Sequence, residues 1–127
     1  MRPDGSGSPS RTSVRLPGHV AVASRSGGVT KIYAREEFCE DSNGTPGIQT
    51  SDSAAYLPWG EEECVAWHTP MVYQSQRPVA WGLGEFNEGT CHWENEEVWT
   101  SGTNNQGTID VFVLDGEGRW KEWSKLL

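Results

Sequence analysis

Between the first two cysteines the chain reads C-E-D-S-N-G-T-P-G-I-Q-T-S-D over residues 39–52. Counted from Asp41, its oxygen-bearing residues fall at the spacing of a calcium loop. Calcium takes six to eight hard oxygens, and an EF-type loop draws them from positions one, three, five, seven, nine and twelve. Those positions hold the Asp41 carboxylate, the Asn43 amide oxygen, the Thr45 hydroxyl, the Gly47 carbonyl, Gln49 (through a water) and Asp52, with Ile48 as the apolar anchor at position eight. Thr45 stands where a carboxylate belongs, so the ligand charge is low. Pro46 stands at the sharp turn that glycine makes with ease, and proline locks φ near about −65°. The loop is therefore expected to bind calcium weakly or not at all, at or below the millimolar end of the EF-hand range. An Asx-turn loop, which needs no ion, accounts for the same residues.

The other reactive side chains are sparser. The three cysteines are Cys39, Cys64 and Cys91. An odd count allows one disulfide and a free thiol, or three thiols in a reducing compartment. Cys39 and Cys64 bracket the loop and are the expected pair in an oxidising one, a bridge that the chain-entropy model values at about 3–4 kcal/mol. Cys64, His68, Cys91 and His92 are four zinc-type ligands without the C-x-x-C spacings of a zinc ribbon, so a disulfide or buried thiols are the expected state. Glu61–Glu63 and Glu94, Glu96 and Glu97 read as a solvated rim, not as the spaced carboxylate pair of a glycosidase. His19 reads as an exposed strand-edge residue. There is no G-x-S-x-G, no H-E-x-x-H and no phosphate loop, and no catalytic residue is assigned. The tryptophans at 59, 67, 81, 93 and 99 could form a ligand-stacking platform, but the core of a small sheet is their default place.

What must position these groups is a chain of 127 residues with 35% hydrophobic content, 15 Gly, 7 Pro and 7 Trp. That is room for one domain, rich in turns, and too aromatic for a disordered one. Charge is unevenly spread: residues 1–35 carry six basic residues against Asp4, whereas residues 36–127 carry four basic against seventeen acidic. So acidic a body repels phosphate backbones, and no nucleic-acid partner is expected. No run approaches the ~18 apolar residues of a membrane helix, so no membrane span is expected. Residues 1–17 read as a flexible basic lead-in and 18–127 as a single β domain with a strandless insertion at 36–63. Short runs rich in Val, Ile, Thr and aromatics start at His19, Val29, Cys64, Pro78, Val98 and Thr108, separated by Gly, Ser, Asn and Asp. Helical periodicity is nearly absent. The chain is expected to be all-β, built of short antiparallel strands.

A weak internal repeat sets Val20-A-V-A-S-R-S-G-G-V-T-K-I-Y beside Val98-W-T-S-G-T-N-N-Q-G-T-I-D-V. The two are 78 residues apart, and 50 apart once the insertion is removed, which is a plausible period for a propeller blade. Here a resemblance enters. Ser10-R-T-S-V-R-L-P-G-H-V-A-V-A-S-R-S-G-G-V-T-K-I resembles the repeat of bacterial exported β-propellers of the NHL and virginiamycin-lyase-like group, P-x-G-x-V-W-V-A-N, a turn, then V-x-K-I. This chain departs from that pattern at Ala21 and Ser24. The segments from Leu57 to Pro70, Ala80 to Asn87 and Cys91 to Asn104 are similar to parts of the same proteins, some of which carry an EF-hand or dockerin-like insertion. The resemblance covers residues 10–117 and implies an incomplete β-propeller of one to two blades with a loop insertion, in an extracellular or periplasmic protein. A closed propeller needs at least ~4 blades. With no signal-like apolar core after Met1, the chain is expected to be a fragment of a longer reading frame. The implied function is a non-enzymatic binding or structural module, self-associating through open strand edges. The alternative is part of a metal-dependent lyase of the propeller class, with His68 or His92 at its centre.

Overall fold

A computed structural model of the chain describes residues 8–16, 18–104 and 107–126, with side chains as far as Lys121. Among these residues ten strands form two four-stranded antiparallel sheets and a ribbon. The first sheet runs in order β1 (Pro9–Arg15), β2 (His19–Ser24), β3 (Gly28–Tyr33) and β4 (Val65–Thr69). In the second, β5 (Ser75–Gly82) lies beside β8 (Glu97–Thr103), then β9 (Ile109–Asp115) and β10 (Trp120–Leu126). Strands β6 (Glu85–Asn87) and β7 (His92–Glu94) make the ribbon between β5 and β8. The architecture is all-β, and neither sheet closes into a barrel.

Each sheet is an up-and-down meander, and the two halves of the internal repeat occupy the same two positions in them. Val20 lies in β2 and Val98 in β8, each the second strand of its sheet, and the turn that follows leads in both to the third. The turn at the end of β2 depends on Gly28, whose φ is +108° and where an added Cβ would lie 2.0 Å from the Thr69 carbonyl oxygen. No other side chain fits there.

The core lies between the sheets. Ala21 and Val29 from the first meet Val98, Phe112 and Leu114 from the second, with Met71 from the connection. Trp67, Tyr73, Val79 and Trp81 pack around them. The edge strands β1 and β5 meet at one side, where the Trp81 amide donates to Ser13 Oγ (3.1 Å) and its indole N–H to the Ser13 carbonyl (3.1 Å). Gln76, fully buried, donates to Thr100 Oγ1 (3.1 Å).

The structure differs from the sequence reading at both ends. Pro9–Arg15 form β1, paired along its length with β2, within what reads as lead-in; residues 1–7 and 17 lie outside the described residues. The apolar runs at Val20–Ala23 and Thr108–Leu114, read from their sequence as open strand edges, lie inside the sheets, because β2 and β9 are each paired on both sides. Between β3 and β4 the insertion carries only single 3-10 turns, at Glu36–Phe38 and Trp59–Glu61.

Candidate functional site

Cys39 and Cys64 are joined in a disulfide that closes the insertion at its neck, and Cys91 is an exposed free thiol. Inside the neck the loop is folded around a carboxylate. Glu63 is only 4% exposed. Its Oε1 accepts from the Ser42 amide (2.9 Å), the Ser42 hydroxyl (3.3 Å) and the Asn43 amide (3.2 Å), and its Oε2 from the Gln49 amide (2.8 Å). These bonds, led by the one from Gln49 and opposed by burial, hold its pKa below the usual carboxylate range. Next to it, Glu62 Oε2 accepts from the Ser51 amide at 2.9 Å. Glu63 therefore belongs to the inside of the loop, not to a solvated rim.

That arrangement bears on the six calcium-type residues. Asp41 Oδ1 accepts from the amides of Asn43 (3.2 Å) and Gly44 (2.7 Å), an Asx turn, and Asn43 Oδ1 accepts from the Thr45 amide (2.8 Å) and from its hydroxyl. The Gly47 carbonyl accepts from Gln49 Nε2 at 3.2 Å, and Asp52 is exposed. Gly47, with φ +85°, follows Pro46 as the left-handed residue of the turn. A cation needs oxygens turned inward. This loop turns N–H groups inward onto Glu63, so its donor set does not fit an EF-type calcium ion. Among the described residues no group of three or more His, Cys, Asp or Glu side chains is placed to hold a metal.

A second cluster, which spacing alone does not reveal, joins the sheets at one end. Lys31 of β3 is 5% exposed. Its ammonium donates to the Gly116 carbonyl in the β9–β10 turn (3.2 Å) and lies 3.5 Å from Glu96 Oε1, against the rings of Tyr33 and Trp81. Glu96 also pairs with Arg15 at the end of β1, and His19 Nδ1 approaches it to 3.8 Å. The Trp67 indole N–H shares the Gly116 carbonyl at 2.8 Å. His19 is thus enclosed, its ring edge-on to Tyr33 (5.1 Å) and Phe38 (5.5 Å), and not the exposed edge residue its neighbours suggest. Burial first, then the charges of Lys31 and Arg15, push its pKa down, so it is neutral at pH 7. Burial also lowers the Lys31 pKa, against the raising effect of Glu117.

A neutral imidazole, a carboxylate and an ammonium within one apolar wall are the residue types of acid–base chemistry. Here they are spent on one another: all four strands of the first sheet are tied to two segments of the second through Glu96 and Gly116. His68 accepts or donates at Nδ1 with Thr30 Oγ1 (2.9 Å) and lies edge-on to Trp59 under the insertion, whereas His92 is exposed on the ribbon. Of the tryptophans, Trp67 and Trp81 pack on the core, while Trp93 and Trp99 are 45% and 46% exposed. Searches against family models, curated proteins and solved structures returned no match to this chain.

Proposed function

We propose that this chain is a non-enzymatic binding module, a two-sheet piece of an exported β-propeller-like protein whose insertion descends from a calcium loop and binds that ion weakly or not at all. What carries the reading is the repeated unit. The two related sequence stretches take the second and third positions of two successive four-stranded meanders, which is how blades repeat. The Cys39–Cys64 disulfide supports an oxidising, extracellular or periplasmic setting. The engagement of Lys31, Glu96 and Arg15 with one another and with the backbone supports a structural use of those charges. The lyase alternative draws no support from His68, which is tied to Thr30 and Trp59, or from His92, which is exposed on the ribbon.

A piece of a larger β assembly leaves strand edges open, and unpaired N–H and C=O groups there recruit further strands. The net charge of −8 opposes association, and salt screens it beyond a Debye length of ~8 Å at physiological ionic strength. Size-exclusion chromatography with light scattering, at low and at raised salt, is expected to show dimers or soluble oligomers that grow with salt. A sharp 14.0 kDa monomer under both conditions, unfolding cooperatively, would overturn the assembly reading. Calorimetric titration with calcium is expected to give no micromolar binding. A micromolar dissociation constant abolished by Asp41→Ala would restore the working-loop reading.

A further inference from the structure

The outer face of the second sheet carries a groove of about 500 Å³, within the range of small-ligand sites, that the core does not use. Ala80, Val111 and Trp99 line it together with Arg11 and Arg77. The Trp99 indole lies along Gly82, where an added Cβ would meet Nε1 at 3.4 Å and Cδ1 at 3.6 Å. Its N–H donates to Glu97 Oε2 at 3.1 Å, and Lys121 holds Glu97 in turn. The indole orientation is thus fixed by a hydrogen bond at its edge, while the side chain stays 46% exposed.

The charge around this platform is as telling. On a chain of net charge −8, Arg15 and Arg35 are both ion-paired. Arg11 and Arg77, both exposed, come from different sheets to the same groove, and among the described residues neither guanidinium has an ion-pair partner. We infer that this groove binds an acidic carbohydrate, a uronic-acid-containing glycan, with a sugar ring stacked on Trp99 and its carboxylates on Arg11 and Arg77. The polarised C–H face of a pyranose suits the negative face of an indole, and a guanidinium fork suits a carboxylate. The hydroxyls of Thr12 and Ser101 line the same groove and supply neutral hydrogen bonds to sugar hydroxyls.

Two other occupants fit less well. An acidic peptide recognised by strand addition needs a free edge, but β8 under Trp99 is bonded to β5 and β9, and the outer edge of β5 is met by β1 at Ser13. A second copy stacking the same face would oppose arginines to arginines, and a further sheet would bury Glu97 and Ser101 beside Trp99, unlike the apolar inner face of Val98, Phe112 and Leu114. The inference rests on the binding-module reading but fails separately from it, since one is read by ligand titration and the other by assembly mass.

The test is calorimetric titration of the full chain with a short oligogalacturonate, its methyl ester and a poly-glutamate peptide, with near-ultraviolet circular dichroism to check each variant's fold. Saturable binding of the oligogalacturonate is expected. Trp99→Ala should weaken it at least about tenfold and Trp99→Phe much less, while Arg11→Gln with Arg77→Gln should weaken it about tenfold and flatten its salt dependence. The neutral ester should bind about tenfold less tightly than the acid. Absence of binding, equal affinity for acid and ester, or insensitivity to Trp99→Ala overturns the proposal. Poly-glutamate binding as tightly as the glycan reassigns the groove to acidic peptides. Loss of self-association in Trp99→Ala, with no glycan binding by the unaltered chain, reassigns it to a sheet-stacking interface.

Discussion

Glu63 organises the inside of its loop through its carboxylate. Its two oxygens gather four donors from Ser42, Asn43 and Gln49, residues that spacing assigns to a calcium loop. Because its folded pKa is lowered, its contribution is present above the ordinary carboxylate range, near about 4.3 for Glu, and is lost as pH falls through the lowered folded value. Glu63→Gln should therefore remove amide-exchange protection at Ser42, Asn43 and Gln49 at neutral pH while leaving β2 and β3 protected. Unchanged protection at those three amides would show that the disulfide alone holds the loop. His19 gives the opposite kind of test. Its folded pKa lies below the ordinary value, so the unfolded chain binds the proton first, and stability falls as pH drops below about 6.5 towards the folded value. Urea midpoints measured at pH 7.5 and at pH 5.5, as rough choices around that value, should differ less in His19→Gln than in the parent chain. Neither role is legible from neighbours in sequence. Glu63 looks like one of three solvated glutamates, and His19 meets Glu96 only after two sheets have stacked.

At the level of strands and loops the sequence is more informative. β2, β3, β4, β5, β8 and β9 all contain runs whose Val, Ile, Thr and aromatic content marks them as strands. β1 is missed because P-S-R-T-S-V-R has one aliphatic side chain and no apolar alternation; as an edge strand it is half exposed and owes its place to pairing with β2 and to Ser13. The ribbon β6–β7 is missed for its length, three residues a side, with Phe86 against Trp93 as its only apolar pair. The insertion is legible as strandless, and its closure by Cys39 and Cys64 sets its stability. Replacing both by serine should cost about 3 kcal/mol from the 25-residue loop alone, read as a shift in urea midpoint under non-reducing conditions. Gly28→Ala should be comparably damaging, about 2–4 kcal/mol, since the turn conformation and the Thr69 carbonyl both forbid a Cβ. A wild-type midpoint in Gly28→Ala would mean that β3 and β4 can part without loss.

For the whole molecule the decisive contacts are those between the sheets, and these are the least local. Composition and periodicity announce antiparallel strands, but not that Lys31 lies beneath Trp81, or that Glu96 gathers Arg15 and His19. The cluster is a shared support, so truncating its centre should be costly. Glu96→Ala leaves Lys31 buried with the Gly116 carbonyl but without its ion-pair partner, an expected loss of about 3 kcal/mol in chemical unfolding. Lys31→Met in the same background should recover part of that loss by removing the stranded charge. A further loss of the same size on adding Lys31→Met would show that the ammonium is held by Gly116 and not by Glu96.

One of these bonds also sets a clock. Lys31 and the carbonyl of Gly116 are 85 residues apart in the chain, and Trp67 and the same carbonyl are 49 apart. The first meander can form from near neighbours, yet its buried ammonium gains its carbonyl partner only when the last turn of the second meander arrives. Contacts of such separation form late, and topologies dominated by them fold in milliseconds to seconds, not microseconds. The Gly116 latch is expected to form after the folding transition state. Lys31→Met should leave the refolding rate nearly unchanged and speed unfolding instead, so that what the latch governs is how long a folded molecule lasts.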